Sequence, residues 1–264
     1  MAARELKIRV RGLVKSFGPK LVLDGVDLDV LAGESMVVIG ASGSGKSVFL
    51  KHIIGLLHPD AGTVDVDGVD LHALDYREIT EFRRRFGMSF QEGALFDSMS
   101  VADNVAFPLK RQSRLGRAEI AERVEECLSL VRLEGVGRKM PSELSGGMRR
   151  RVGFARAVAL EPEILLFDEP TSGLDPVTTA LIDEVIVTLS DRLHSTTVTI
   201  THDMDSAYRV ADRIGMLHGG KLIALAPPEE LRRLPDPRVQ QFIRGEARGP
   251  LSDELPAEPA PNGR

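Results

Sequence analysis

Residues 40–47 have the types and spacing of a phosphate-binding loop, G-x-x-x-x-G-K-S. Glycines let backbone N–H groups close around an anion, a lysine adds a positive charge, and a serine hydroxyl can ligate Mg²⁺. The same letters would also fit a Gly/Ser-rich turn between a strand and a helix, so the flanking segments matter. The residues predicted to contact a nucleotide here are Gly40, Ala41, Ser42, Gly43, Ser44, Gly45, Lys46 and Ser47.

The segments on either side of this loop favour the phosphate-binding interpretation over the turn. Residues 36–39 are a short apolar run rich in β-branched side chains, as expected of a buried parallel strand. Residues 47–57 carry apolar side chains at helical spacing, and Pro59 ends that pattern. The loop therefore opens a helix at the carboxyl end of a strand, where the helix N-terminus favours phosphate.

Two carboxylates follow a second apolar strand pattern, at residues 164–167. Asp168 and Glu169 should lie at the carboxyl edge of the sheet, beside the phosphate loop. Asp168 is then suited to hold Mg²⁺, directly or through water, and Glu169 is suited to orient and polarise an attacking water. The alternative is that both acids cap the turn at residues 170–173.

Gln91 and His202 each follow a further predicted strand. An amide at position 91 can bind Mg²⁺ or water and sense whether a γ-phosphate is present, and an imidazole at position 202 can reach a phosphate oxygen. Taken singly, such a glutamine is more often a surface residue and such a histidine a structural one. The other histidines show no metal-ligand spacing.

Strand and helix patterns alternate at both ends of the chain, which predicts an α/β fold with a mainly parallel sheet covered by helices on both faces. Residues 4–31 alternate as antiparallel strands with a turn at Gly18 and Pro19. The middle of the chain is mostly helical and predicts an inserted α-helical subdomain at about residues 92–158. We expect an ordered domain over residues 5–243 and a Pro- and Glu-rich disordered tail over residues 244–264.

Composition excludes several functions. The chain has 264 residues, 42% of them hydrophobic, and a net charge of −5 from 34 basic and 39 acidic residues, so nothing in the balance suggests nucleic acid. The basic runs at residues 83–85 and 149–151 have acids nearby, and we expect solvated faces. The single cysteine, Cys127, fits a reducing compartment. No signal-peptide core is visible, and no run approaches the ~18 apolar residues of a membrane span.

A second glycine motif identifies a family. The stretch from Leu144 to Met148, L-S-G-G-M, resembles the signature of ABC-transporter ATPases, and the other motifs appear in the order of that family. The resemblance covers roughly residues 5–240. It implies a P-loop NTPase (RecA-like) core, with ATP as the nucleotide and Mg²⁺ as the metal ion. It further implies that Lys46 and Gln91 belong to the catalytic machinery, that Glu169 is the catalytic base and His202 the switch histidine, that Phe17 stacks on adenine, and that Ser47, Gln91 and Asp168 serve the metal.

The signature also has a physical interpretation. Ser145 can cap the helical run that begins near Met148, so the backbone N–H groups of Gly146 and Gly147 would point out of a helix N-terminus towards an anion. The resemblance implies that this second anion site faces the nucleotide of a second copy in a two-fold dimer. It also implies that Asp175, in the turn 172–175, contacts nucleotide. Met148 replaces the usual glutamine.

Residues 90–109, 143–152 and 175–179 resemble the ATPase subunits of Mla/Mce-type lipid transport systems. This implies integral permease subunits and an MCE-domain substrate-binding protein as partners, and a peripheral location on the cytoplasmic face of the inner membrane. In the family, the region after Gln91 forms a groove for a short helix of the membrane subunit. Apolar residues there could line such a groove or simply fill the core: Leu95, Phe96, Val101, Val105 and Phe107.

Two other functions compete with lipid transport. One is an importer of a polar solute such as an amino acid, driven by the same ATPase. The other is a soluble ABC protein acting on ribosomes or DNA, which usually needs two cassettes or a long coiled-coil insertion that this sequence lacks. The identity of the membrane subunit would separate the first two.

Overall fold

The computed structural model describes residues 5–91 and 93–253. Within these ranges the chain alternates strands and helices, with a helical stretch in the middle. The strands are β1 (Leu6–Phe17), β2 (Lys20–Leu31), β3 (Ser35–Ile39), β4 (Ala61–Val66), β5 (Val69–Asp70), β6 (Phe86–Ser89), β7 (Ile164–Asp168), β8 (Thr196–Thr201), β9 (Arg213–His218) and β10 (Lys221–Ala226). The helices are α1 (Lys46–Ile53), α2 (Tyr76–Phe82), α3 (Val101–Gln112), α4 (Arg117–Leu130), α5 (Gly146–Val158), α6 (Pro176–Leu193), α7 (Met204–Val210), α8 (Pro228–Leu231), α9 (Pro237–Arg244) and α10 (Pro250–Asp253).

The described strands form two sheets. The first has the order β2-β1-β4-β5 and is antiparallel throughout, which confirms the predicted N-terminal β subdomain. The second has the order β10-β9-β3-β8-β7-β6 and is parallel apart from the antiparallel pairing of β10 with β9. The mainly parallel core predicted from the alternating pattern is therefore confirmed.

The parallel sheet separates two hydrophobic cores, because its central strands are apolar on both faces. In β3, Met36 and Val38 face the core shared with the antiparallel sheet and α1. Val37 and Ile39 face the opposite core, which is shared with the helical stretch and α6. Because β3, β7 and β8 pair in parallel, their carboxyl ends meet at one edge of the sheet, where Ile39 pairs with Thr201 and Asp168 pairs with Ile200.

The helices α3, α4 and α5 lie in the chain between β6 and β7 and pack on one another. Three helices near the site begin at a residue whose side-chain oxygen accepts a backbone N–H of the first turn: Ser100 for α3, Ser145 for α5 and Asp175 for α6. Such caps satisfy N–H groups that a helix cannot satisfy itself.

In the basic run at residues 83–85, Arg84 is exposed and pairs with Glu81, as predicted for a solvated face, but Arg83 and Arg85 are placed differently. Arg83 donates to the carbonyls of Ile54 and Gly55, at the end of α1. Arg85 donates to Asp67 and Glu163, and Lys7 donates to the same two carboxylates. The hydrogen bond from Arg85, with the help of Lys7, lowers the pKa of Glu163 to about 2. Arg85 and Lys7 thus join the antiparallel sheet to the parallel one, whereas Arg83 joins the segment before β6 to the end of α1.

The predicted disordered tail is partly structured. Within residues 245–253, α10 packs against α9. The buried Gln241 side chain accepts from the Leu251 N–H at 2.8 Å and donates to the Glu246 carbonyl at 3.1 Å. These hydrogen bonds satisfy a buried amide and join the segment after α9 to that helix. Residues 254–264 of the predicted tail lie outside the described residues.

Among the described residues, 5–91 and 93–253, no helix is both long enough and apolar enough to span a bilayer.

Candidate nucleotide site

The phosphate loop connects β3 to α1, as predicted. Gly40 follows β3 at a point where a Cβ would lie 2.4 Å from the carbonyl oxygen of Leu217 in β9, so only glycine fits this close approach. Gly45 precedes α1 with φ +102°, a backbone conformation that favours glycine. Backbone geometry therefore requires glycine at both positions. The N-terminus of α1, with its unsatisfied N–H groups, opens on this loop.

Lys46 lies at the centre of the loop, with a nearly buried side chain. Its ammonium donates to the carbonyls of Gly40 at 2.8 Å and Ala41 at 3.2 Å. The same nitrogen lies 3.2 Å from Oε1 of Glu169. The backbone and one carboxylate thus fix a positive charge where phosphates would meet the helix N-terminus.

Ser47 and Asp168 meet at the sheet edge, as predicted for two residues that serve a metal ion. The hydroxyl of Ser47 donates to Oδ1 of Asp168 at 3.1 Å. Burial raises the pKa of Asp168, because desolvation disfavours its charged form, and the neighbouring Glu169 adds to that effect. Hard oxygen donors on a desolvated carboxylate and a hydroxyl fit Mg²⁺, and a cation there would offset the lost solvation.

Glu169 has an unusual backbone and two side-chain contacts. Its φ is +49°, a left-handed conformation that non-glycine residues seldom adopt, and its N–H donates to the Ile200 carbonyl at 2.9 Å. Oε1 contacts Lys46, and Oε2 lies 2.8 Å from Nδ1 of His202. Since a carboxylate only accepts, Nδ1 carries the hydrogen in this contact. Such an arrangement can hold a carboxylate ready to accept a proton from water.

Many of the predicted site residues line one cleft of ≈ 490 Å³, although Asp168 does not. Phe17, about half exposed at the end of β1, forms one wall, and Gln91 and Ser172 form another. The amide of Gln91 donates to the Ser172 hydroxyl at 3.3 Å. Ser42, Gly43, Gly45, Lys46, Ser47, Glu169 and His202 also line the cleft, whereas Gly40, Ala41 and Ser44 belong to the loop without lining it.

The signature residues and Asp175 do not line this cleft. The Ser145 hydroxyl accepts from the Met148 N–H at 3.2 Å, and Asp175 accepts from the N–H groups of Val177 and Thr178, both at 3.0 Å. Hydrogen bonds from Thr178 lower the pKa of Asp175 below its usual value. A Cβ at Gly147 would lie 2.5 Å from the Thr178 side chain, so the N-termini of α5 and α6 are packed together. The N-terminus of α5 is therefore the second candidate anion site, apart from the first, whereas the Asp175 carboxylate already caps the N-terminus of α6.

Arg150 is a residue that the sequence analysis assigned to a solvated face, and the structure places it differently. It is only 8% exposed, and it donates to the carbonyls of Gln91 and Ser172. A sequence signal for this burial exists: Gly147 and Gly153 flank Arg150 at three-residue spacing on α5, which marks a face of close packing.

The fold and the site define a P-loop ATPase with a signature helix. The sequence profile of the ABC transporter family matches residues 23–172, more than half of the chain. This chain belongs to the ABC transporter family and is one of its ATPases.

Curated relatives extend the match over most of the chain. An intermembrane phospholipid transport system ATP-binding protein, MlaF of Haemophilus influenzae, is 40% identical over 95% of both chains. A "probable ribonucleotide transport ATP-binding protein", mkl of Mycobacterium leprae, is 46% identical over 92% of this chain and 70% of that relative. Among solved structures, a dimeric post-hydrolysis state of the ATP-binding cassette MJ0796, bound to ADP and Pi, aligns with a TM-score of 0.77 at 32% identity. That alignment covers 84% of this chain and 98% of the cassette.

Proposed function

We propose that this ATPase powers the movement of phospholipid or another lipid through an Mla/Mce-type permease, as one half of a homodimer. It would work on the cytoplasmic face of the inner membrane as a peripheral subunit. The observation that carries the ATP-driven part is the convergence of Lys46, Ser47, Asp168, Glu169 and His202 at one sheet edge.

In this proposal ATP binds in the cleft with its adenine on the ring of Phe17, since stacking needs only an exposed π-face. The phosphates lie on the loop and the N-terminus of α1, beside the ammonium of Lys46. Ser47, Asp168 and the amide oxygen of Gln91 supply the oxygen donors for Mg²⁺. Bound Mg²⁺ would supply charge neutralisation on the phosphates.

In the hydrolytic step, Glu169 acts on the attacking water. Its carboxylate orients a water for in-line attack on the γ-phosphorus, and Lys46 stabilises the charge that develops on the phosphoryl oxygens. His202 fixes one oxygen of Glu169 by donating to it, which leaves the other oxygen beside the lysine. When ATP enters, the ammonium can exchange the carboxylate for a phosphate oxygen and free Glu169 for water.

The proposed dimer is supported by the position of the signature residues outside the cleft. Ser145, Gly146 and Gly147 open a helix N-terminus that does not line the cleft of its own chain, so a second copy would present them to the nucleotide. An isologous pair would then enclose two nucleotides. The dimeric state of the MJ0796 cassette supports this arrangement.

The contact with the permease is proposed at a groove of ≈ 350 Å³ beside the loop that carries Gln91. Phe90 and Phe96 are more than one third exposed there, and the rings of Phe96 and Phe107 lie 4.7 Å apart between centroids. Val101 and Val105 are instead fully buried and fill the core. The apolar residues after Gln91 thus divide between groove and core, and the groove suits an apolar helix of a membrane subunit.

The lipid substrate is supported by the end-to-end match to the phospholipid transport ATPase of Haemophilus influenzae. The mycobacterial relative, named for ribonucleotide transport, supports a polar solute as the second candidate. An MCE-domain protein is the expected accessory subunit in the first case and a periplasmic solute-binding protein in the second.

The test is to purify the full chain with its membrane subunit in mild detergent and to identify the co-purified proteins by mass spectrometry. The complex is then reconstituted in vesicles, and transfer of a fluorescent phospholipid is measured with ATP, with the complex of the Glu169→Gln variant as control. ATP-dependent transfer by the parent alone, with a permease and an MCE-domain protein present, is the expected result. A solute-binding protein in the complex and no lipid transfer would contradict the lipid proposal.

A further inference from the structure

Arg150 joins two loops of the nucleotide site to the signature helix. It projects from the second turn of α5 into a buried position. Its Nε donates to the Gln91 carbonyl at 2.8 Å, and a terminal nitrogen donates to the Ser172 carbonyl. A guanidinium is planar and rigid, so two carbonyls held by one group keep a fixed separation.

Those two carbonyls belong to residues whose side chains also contact each other on one wall of the cleft. The side chains of Gln91 and Ser172 form a hydrogen bond, and both residues line the cleft. The guanidinium therefore closes a ring of contacts: Arg150 to the backbone of both residues, and Gln91 to Ser172 through their side chains. Movement of either backbone would shift the side-chain amide that we propose as the γ-phosphate sensor.

The same face of α5 holds the chain beyond Gln91. A Cβ at Gly153 would lie 2.9 Å from the Cα of Gly93, so backbone packs on backbone at that point. Arg156 donates to the carbonyls of Gly93 at 2.7 Å and Ala94 at 2.8 Å. Arg150, Gly153 and Arg156 repeat every three residues, and together they fix Gln91, Gly93 and Ala94 to the helix whose N-terminus carries Ser145.

We propose that Arg150 is a positioning residue for ATP hydrolysis, which sets the amide of Gln91 by holding the Gln91 and Ser172 carbonyls to the signature helix. This inference rests on the proposed dimer, in which α5 faces the nucleotide of the second copy while Gln91 faces that of its own chain. Arg150 then makes the two half-sites respond together: a shift of α5 on closure moves Gln91, and a shift of Gln91 moves α5.

Arg150→Met removes every donor at nearly constant volume, and Arg151→Met is its matched control. Arg151 lies on the same helix and also donates to two carbonyls, those of Val131 at 3.0 Å and Arg132 at 2.8 Å, which belong to the helical subdomain and not to the cleft. In steady-state hydrolysis by the full chain, we expect Arg150→Met to lower kcat about ten- to hundredfold with KM for ATP within about threefold. Arg151→Met should stay within about threefold of the parent in both.

Two further measurements separate positioning from general stability. Arg150→Lys keeps the charge but loses the planar guanidinium that can donate to two carbonyls at once. Its kcat should be intermediate between those of the parent and Arg150→Met. In a double-mutant cycle, Arg150→Met should add little to Gln91→Ala, because it acts through that side chain.

Hydrogen exchange gives a readout that needs no activity. Without nucleotide, peptides that contain Gln91 and Gly93 should exchange faster in Arg150→Met than in Arg151→Met and the parent. Equal kcat for the two methionine variants with equal exchange in those peptides would overturn the inference, as would fully additive effects in the cycle. Neither result would affect the proposed lipid substrate, which the vesicle assay tests separately.

Discussion

Glu169 is the residue at which the contacts of the site converge, between the ammonium of Lys46 and the imidazole of His202. In Glu169→Gln, the amide keeps the size of the side chain and can still accept a hydrogen bond, but it cannot take a proton from water. We expect ATP binding to persist and kcat to fall about 10²- to 10⁴-fold. Single-turnover hydrolysis with a parallel binding isotherm measures both, and hydrolysis at the parent rate would show that Glu169 is not the base.

Substitution of Lys46, unlike that of Glu169, should weaken ATP binding. In Lys46→Ala the phosphates lose a charge-assisted donor of about 1.5–3 kcal/mol, so ATP affinity should fall about 10- to 100-fold. Calorimetric titration of ATP, with Glu169→Gln in both proteins to prevent turnover, isolates this effect. An unchanged dissociation constant would contradict the assignment of Lys46.

At this scale, the sequence pattern predicted which side chains would meet at the sheet edge. Residues 40–47, Asp168, Glu169 and His202 come together because each follows a strand of one parallel sheet. Arg150 could not be predicted as a site residue from its neighbours in sequence, since its acceptors are backbone carbonyls that any residue carries. Asp175 and Ser145 show helix caps in one chain, and their predicted nucleotide contacts need a second chain.

Among the elements, α1 links the phosphate loop to a buried histidine. His52 is fully buried, its Nδ1 lies 2.8 Å from the Val48 carbonyl, and its ring lies near those of His72 and, beyond it, His58. Burial lowers the pKa of His52 and also that of His72. Lys15 and Asp60 also face His52, with opposite effects on its pKa.

This burial predicts a pH dependence of stability. The folded pKa of His52 is below its unfolded value of about 6.5, so the unfolded chain takes up a proton first as pH falls. The unfolding free energy should decrease below about pH 6.5, by at most about 1.4 kcal/mol per pH unit for this residue. His52→Gln should flatten that slope in urea denaturation between pH 7.5 and 5.5. A slope identical to that of the parent would show that His52 does not contribute.

The contact of β6 with α5 depends on a glycine. A Cβ at Gly87 would lie 2.3 Å from the Ala157 carbonyl of α5, a backbone atom that cannot swing away. Gly87→Ala should therefore lower the unfolding free energy by about 1–3 kcal/mol, as overpacking does. Gly137→Ala is the matched control, because its Cβ would come no closer than 3.4 Å to a neighbouring atom, and a change within about 0.5 kcal/mol is expected. Equal denaturation midpoints for the two variants would contradict the packing argument.

Strongly periodic helices and short apolar strands that lead into a recognised motif were predictable, whereas the short elements near the end of the described chain were not. The strands β3, β7 and β8 and the helices α4, α5 and α6 follow the apolar patterns that predicted them. The sequence analysis assigned no element to residues 203–244, where α7, β9, β10, α8 and α9 are each four to eight residues long. A run of six residues such as β9 cannot be told from a buried helix turn by periodicity, and its pairing with β3 decides the outcome.

At the scale of the whole molecule, the chain presents two candidate half-sites at different places on its surface. The cleft holds Lys46 and Glu169, and the capped N-terminus of α5 holds Ser145 elsewhere. In the proposed dimer, a second copy brings both half-sites to one nucleotide. The buried Cys127, whose pKa burial raises to about 11, should not interfere in such assembly experiments through thiol chemistry.

The mass of the hydrolysis-deficient chain in solution tests this arrangement most directly. In sedimentation velocity, full-length Glu169→Gln should be a dimer with Mg²⁺ and ATP, and a monomer with ADP. Adding Ser145→Arg, which places a bulky side chain at the α5 N-terminus, should return the ATP-bound protein to the monomer. A monomer with ATP, or an ATP-bound dimer that Ser145→Arg leaves intact, would contradict the shared nucleotide site.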